Sequence, residues 1–309
     1  MSLIGATSAT IGRAVGGAVY DRGYRPYEGQ RGGRSAARWA LWRLSVRRTL
    51  GLRRSWRQKV LPWTLLGIAT LPAIINVGAE YISRQQEQSF IPEFFTFREY
   101  TDVSTVLLLF VAVAAPDVIC PDRHDRVLPL IFSRQLTGID YVVAKVGAVA
   151  TVLFGFAFLP QVVLFVGQMF VSRDGALDYY LDHDEVIWQA AVSVAIFAFY
   201  YAVISVALAS LTDRRIVGAI AFLGVVLVSA AVSGTLVAAT GSGDQSAFDL
   251  LSVLSPPRAL RDIVFLGHIH WSEPLSGVAG AGVMALLVYV AIVAASSAVL
   301  VWRYREVQL

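Results

Sequence analysis

The chain has little charge and almost no sulfur. Of its 309 residues, 16% are Asp, Glu, Lys or Arg and 56% are apolar, against a charged share of roughly one quarter in soluble domains. That balance excludes a pair of soluble domains and fits a single membrane-embedded one. The one cysteine, Cys120, excludes an internal disulfide and a thiolate metal cluster. No Gly-x-x-x-x-Gly-Lys-Ser/Thr loop occurs, so the chain has no phosphate cradle of the nucleotide-hydrolysing kind. The four histidines, His124, His183, His268 and His270, all fall outside the long apolar runs. An intramembrane enzyme would need convergent nucleophile, base or metal ligands inside those runs, and these residues do not supply them.

The apolar runs themselves are long. A hydrocarbon core of about 30 Å needs roughly 20 apolar residues in helix, and six stretches meet that need, near 62–82, 101–120, 141–171, 186–211, 216–239 and 275–302. The expected fold class is an all-α integral membrane protein with six transmembrane helices. The first span is the least apolar, because Pro62, Pro72, Asn76 and Glu80 fall inside it, whereas the fourth to sixth have no Asp, Glu, Lys or Arg in their interiors. Titratable residues at depth, which a proton- or sodium-coupled carrier requires near the midplane, are almost absent; Asp117 is the one acidic candidate, within two turns of the inner surface. Pro160 divides the third span, whose length calls for a kink or for an extension beyond the bilayer.

Basic residues divide unevenly across these spans. Thirteen Lys and Arg precede the first, four follow the second, two lie between the fourth and fifth, and two follow the sixth, which places 21 of the 26 on one side. Positively charged short loops stay cytoplasmic. The expectation is a multi-pass protein of the cell membrane, plasma or inner, with both termini in the cytoplasm. Residues 1–20 have no basic cluster ahead of an apolar core, so no cleavable signal is expected, and residues 1–35 read as a mobile basic tail. A nucleic-acid partner is not favoured, because the basic run abuts a span and faces an anionic leaflet.

Within residues 36–60, Trp39, Trp42, Val46 and Leu50 follow one helical stripe with arginines off it, the pattern of an interfacial amphipathic helix in contact with membrane lipids. Gly51 interrupts, and Leu52, Trp56 and Val60 begin a second stripe. Residues 61–309 form the six-helix domain. Its extracytoplasmic loop, 240–274, reads as two short interfacial helices broken at Pro256 and Pro257. The acidic loop around Asp178, Asp182, Asp184 and Glu185 reads as solvated, and no metal, catalytic or cofactor residue is assigned. Small residues in the sixth span, Gly277 and Gly280 with Gly282 and Ala285, suit close helix packing, and Lys145 is placed to snorkel or to pair with Asp117.

The loop at 121–140 is the least generic part. Leu128, Leu130, Ile131 and Phe132 form a short apolar helix between charged flanks. The run resembles the corresponding loop of ABC-2-type transporter permeases: an acidic residue, Gly-Thr-Leu, apolar residues, small-Arg-Pro, Ser-Arg, an aromatic and a final Lys. Asp122 or Asp125, Leu128, Pro129, Leu130, Ile131, Phe132, Ser133, Arg134, Leu136, Tyr141 and Lys145 follow that pattern. Arg126 and Val127 stand in place of Gly-Thr, and Gln135 in place of Pro. The resemblance implies that the loop (Asp122, Asp125, Arg126, Leu128, Leu130, Phe132, Ser133, Arg134) docks on a cytoplasmic ABC ATPase subunit. ATP and Mg would be bound by that partner, and a second permease subunit, identical or related, would complete the pathway of an exporter. A membrane anchor or assembly factor without transport is the competing reading.

Overall fold

The computed structural model describes residues 32–52, 56–85, 96–101, 104–132, 136–172, 175–240, 246–271 and 273–305. The basic tail at 1–35 lies almost wholly outside these residues, as do Ser133 and Arg134 of the coupling loop.

Among the described residues there is no strand. The helices are α1 (Arg34–Thr49), α2 (Trp56–Gln85), α3 (Phe97–Thr101), α4 (Ser104–His124), α5 (Leu128–Phe132), α6 (Gly138–Val171), α7 (Ala176–Asp182), α8 (Asp184–Ser210), α9 (Arg215–Ala239), α10 (Ser255–Leu266) and α11 (Ala281–Arg305). Six of them, α2, α4, α6, α8, α9 and α11, are long and apolar enough to cross a membrane. The fold is that of an all-α protein with six transmembrane helices.

Helix α8 is the axis of the bundle and packs against α4, α6, α9, α10 and α11. Its aromatic girdle is buried: Tyr200 stacks on Tyr289 of α11 at 4.8 Å, and Tyr201 meets Phe222 of α9 edge-on at 6.5 Å. The outward faces of α2, α9 and α11 are apolar and exposed, with Ile74, Ile220 and Leu287 as examples. In water such a surface would be unstable, and against lipid it is the expected one. Two close approaches lock the bundle. Gly218 of α9 leaves a Cβ position only 3.2 Å from Pro116 of α4, and Gly282 of α11 leaves one 2.8 Å from Ile263 of α10.

Three expectations are corrected. First, Gly51 ends α1 with φ +67 and the paired bonds of a Schellman motif, Leu52 N–H to Arg47 O and Gly51 N–H to Arg48 O. The helix that resumes at Trp56 runs unbroken into the first span, so the surface segment is 34–49 and the stripe from Trp56 to Val60 is the first turn of α2. Second, α11 begins at Ala281, because turns occupy 273–280 and Gly280 has φ +72, which a right-handed helix does not accept. Gly277 and Gly280 therefore precede the helix, and a Cβ at Gly280 would meet nothing within 4 Å, while Gly282 and the fully buried Ala285 make the close contacts of α11. Third, Lys145 pairs with Asp122 at 2.6 Å, and Asp117 with Arg215 at 2.8 Å.

Helix α6 is continuous through Pro160 over 34 residues, about 51 Å at 1.5 Å per residue. It exceeds a hydrocarbon core of about 30 Å, and the excess provides the seat for α1.

Candidate functional site

The chemistry concentrates at the end of the bundle where α1 begins and α11 finishes, here called the terminal end. Helix α4 stops there in a second Schellman motif: the Val127 N–H bonds Asp122 O and the Arg126 N–H bonds Arg123 O. Arg126 occupies the left-handed position at φ +53, a conformation that costs a residue with a Cβ roughly 1–2 kcal/mol and glycine little. The sharp reversal points the chain into α5.

Helix α5 is a single turn with two faces. Leu128 is buried, and Phe132, four residues on and on the same side, meets Tyr141 edge-on at 5.9 Å. Pro129 and Leu130 face away, and Leu130 is 69% exposed. Leu128 and Phe132 therefore anchor the turn, and Leu130 with Pro129 forms its presented tip. The chain then re-enters α6 through a capping box, in which Thr137 Oγ1 accepts from the Asp140 N–H and the Asp140 carboxylate accepts from the Thr137 N–H.

Beneath this tip lies a buried polar set. Asp122, expected in the loop, is instead in the last turn of α4 and buried. Its carboxylate accepts from Lys145 Nζ at 2.6 Å, Arg48 at 2.7 Å and the Tyr141 hydroxyl at 3.0 Å. Lys145 Nζ also donates to Val118 O at 3.0 Å, and the Tyr141 ring packs on Tyr304 at 5.0 Å. One carboxylate thus gathers α1, α4 and α6, with α11 packed alongside. Each charged group has a partner of opposite sign, as burial demands, with the second cation, Arg48, partly exposed, and removing one partner of such a set costs about 3–5 kcal/mol.

Helix α1 is stitched to the same place at its other end. Arg34 reaches Asp140 at 2.6 Å and Thr137 Oγ1 at 2.9 Å, and Arg38 lies 3.7 Å from Asp140. The side chains of α1 most deeply buried against the bundle are Ser45 and Thr49, and Leu41 packs beside them together with Val46 and Leu50 of the tryptophan stripe. That stripe is one flank: Trp39 is exposed and lies under the Arg43 guanidinium at 5.2 Å, Trp42 touches Gly147 of α6, and Val46 and Leu50 face α2. The turn between α8 and α9 is tied in as well, through Arg123 to Asp213 at 3.0 Å and Arg123 to the Ser210 carbonyl.

The sequence pointed to Leu128, Leu130 and Phe132 as one apolar turn, and the structure divides them into anchors and tip. Asp125 and Arg126 are exposed in the turn before it. Arg48, Tyr141 and Arg34 were not singled out as partners of the loop. The available signal was the pair of opposite charges, Asp122 and Lys145, at the inner margins of two apolar spans.

The opposite end holds a smaller buried set. Asp262 of α10 is fully buried and takes Arg98 of α3 at 3.2 Å, Arg261 at 2.8 Å and the His270 N–H at 3.1 Å. Pro256 and Pro257 start α10 in its first turn, where they sacrifice no helix bond. No known family model matches the chain, and no curated protein matches it.

Proposed function

We propose that this chain is the permease subunit of an ATP-driven exporter of the ABC-2 type, set in a cell membrane with both ends of the chain in the cytoplasm. Helix α5 docks on a separate ATPase subunit, which binds ATP and Mg. A second permease subunit, identical or related, supplies the other half of the pathway, and an amphipathic or lipid-like cargo fits so apolar a set of spans.

The observation that carries this reading is Leu130, an apolar residue 69% exposed on a turn that is rigidly held beneath, at the end of the bundle that carries the ion pairs of Arg34, Arg48, Arg123 and Lys145. The register of the resemblance gives further support. Arg126 stands where the permease pattern has glycine, and its φ of +53 is in the region that favours glycine. A backbone conformation suited to glycine, at the place where the pattern has glycine, is what supports the register. The set around Asp122 supports coupling, because a push on α5 is delivered at one carboxylate to α1, α4 and α6 together.

The test is Leu130→Asp, a change at an exposed position that leaves the anchors Leu128 and Phe132 intact. A buried interface anchor is worth about 2 kcal/mol or more, so co-purification of an ATPase subunit should fall more than about tenfold while the amount in the membrane stays unchanged. Undiminished co-purification and transport would refute the docking role. An anchor or assembly factor would show no ATP-dependent transport even with its partners bound.

A further inference from the structure

Helix α1 carries five arginines and no acid: Arg34, Arg38, Arg43, Arg47 and Arg48. Arg34 and Arg38 are taken by Asp140, and Arg48 by Asp122. Among the described residues, Arg43 and Arg47 have no ion pair. They stand at i and i+4, where like charges repel, and α1 has no acidic residue to neutralise them.

Beside them is a cavity of about 320 Å³, within the range of small-ligand sites. Val46 and Leu50 of α1 form one wall, Trp63 and Leu66 of α2 a second, and Gly155 of α6 opens the floor, with no atom within 4 Å of its Cβ position. The lining is almost entirely apolar. Arg43 is three residues before Val46, and Arg47 three before Leu50, so both guanidinium stems rise from the rim of this groove. Depth agrees with this placement. Helix α6 overshoots a core of about 30 Å by roughly 20 Å; with that excess at the terminal end, hydrocarbon would begin about thirteen residues into it, near Thr151, which lines the groove.

We infer that this groove is the seat of one anionic phospholipid of the leaflet at the terminal end. Its phosphate sits between Arg43 and Arg47, whose planar donors match phosphate oxygens, and an acyl chain lies along Val46, Leu50, Leu66 and Gly155. Two unneutralised cations at the rim select a net negative headgroup over a zwitterionic one. The cation–π contact of Arg43 with Trp39 holds that guanidinium in place before the lipid arrives. This inference does not depend on the transport reading, nor on which compartment the terminal end faces.

The experiment uses the purified full chain in nanodiscs of phosphatidylcholine doped with phosphatidylglycerol, with lipid retention counted by native mass spectrometry. Phosphatidylglycerol should be retained over phosphatidylcholine, and the double variant Arg43→Gln with Arg47→Gln should bind it about thirty-fold more weakly, since each basic residue is worth about 1 kcal/mol at an anionic surface. The Lys pair at the same positions should keep most of the binding. Gly155→Leu, which projects into the open groove, should expel the lipid although both arginines remain. Equal retention of the two lipids, an unaffected Gln pair, or displacement by soluble glycerol phosphate as effective as by the whole lipid would each overturn the proposal.

Discussion

Two residues explain much of how the terminal end is built. Asp122 is a charge drawn into the protein by three donors, and without Lys145, Arg48 and Tyr141 its burial would be prohibitive. Arg126 is the reverse case, an exposed residue held in a backbone region that suits another amino acid. Arg126→Gly removes a strain of roughly 1 kcal/mol, partly offset by the greater freedom of glycine in the unfolded chain, so the detergent-solubilised variant should melt slightly higher than the parent. Arg126→Val, β-branched at the same φ, should melt lower. The pairing of Lys145 with Asp122 was only half legible in the sequence. Burial at the margin of a span implied some partner, but the choice between Asp117 and Asp122 depends on how α4 and α6 face each other. Arg215, on α9, takes the other carboxylate.

At the scale of elements, periodicity was a good guide to where helices lie and a partial one to which side they bury. The stripe of Trp39, Trp42, Val46 and Leu50 is real, but α1 seats Ser45 and Thr49 inward, because both hydroxyls bond back to their own helix, to Leu41 O and Ser45 O, and so enter an apolar contact without loss. Small residues at helical spacing were equally legible and equally incomplete. Gly280 is needed for its positive φ ahead of α11, not for packing. Helix α10 adds an electrostatic element at the opposite end. Glu273 approaches Arg261 at 3.7 Å, and burial pushes its carboxyl up from an ordinary 4.5, against the pull of Arg258 and Arg261. A raised folded-state pKa means that the stabilising contribution is complete below about pH 4.5 and is lost as the pH rises through the folded value. Glu273→Gln should therefore gain thermal stability relative to the parent as the pH is raised above 4.5; melting curves that stay parallel across that range would remove Glu273 as the source.

At the scale of the whole molecule, six spans and an uneven distribution of basic residues follow from composition alone, because the thickness of the bilayer fixes helix length and apolar runs of that length are hard to miss. The arrangement of the spans is another matter. That α8 becomes the axis while α2, α9 and α11 face lipid is decided by shape at contacts such as Gly218 against Pro116, and mean apolarity says nothing of shape. The basic residues also divide by task. Arg34, Arg38 and Arg48 lash α1 to the loop, Arg123 and Arg215 tie α4 to α9 and the turn before it, and Arg43 and Arg47 are left over for the bilayer.

The central claim, that the tip of α5 is covered by an ATPase subunit, is tested most directly by Leu130→Cys. The native Cys120 is buried, so a bulky maleimide applied to membranes opened on both faces should report on the new thiol alone. The account predicts rapid labelling of the isolated chain and labelling slowed by more than about tenfold when the co-purified ATPase is present, the occlusion expected of a desolvated interface anchor. Equal rates with and without that subunit would contradict it.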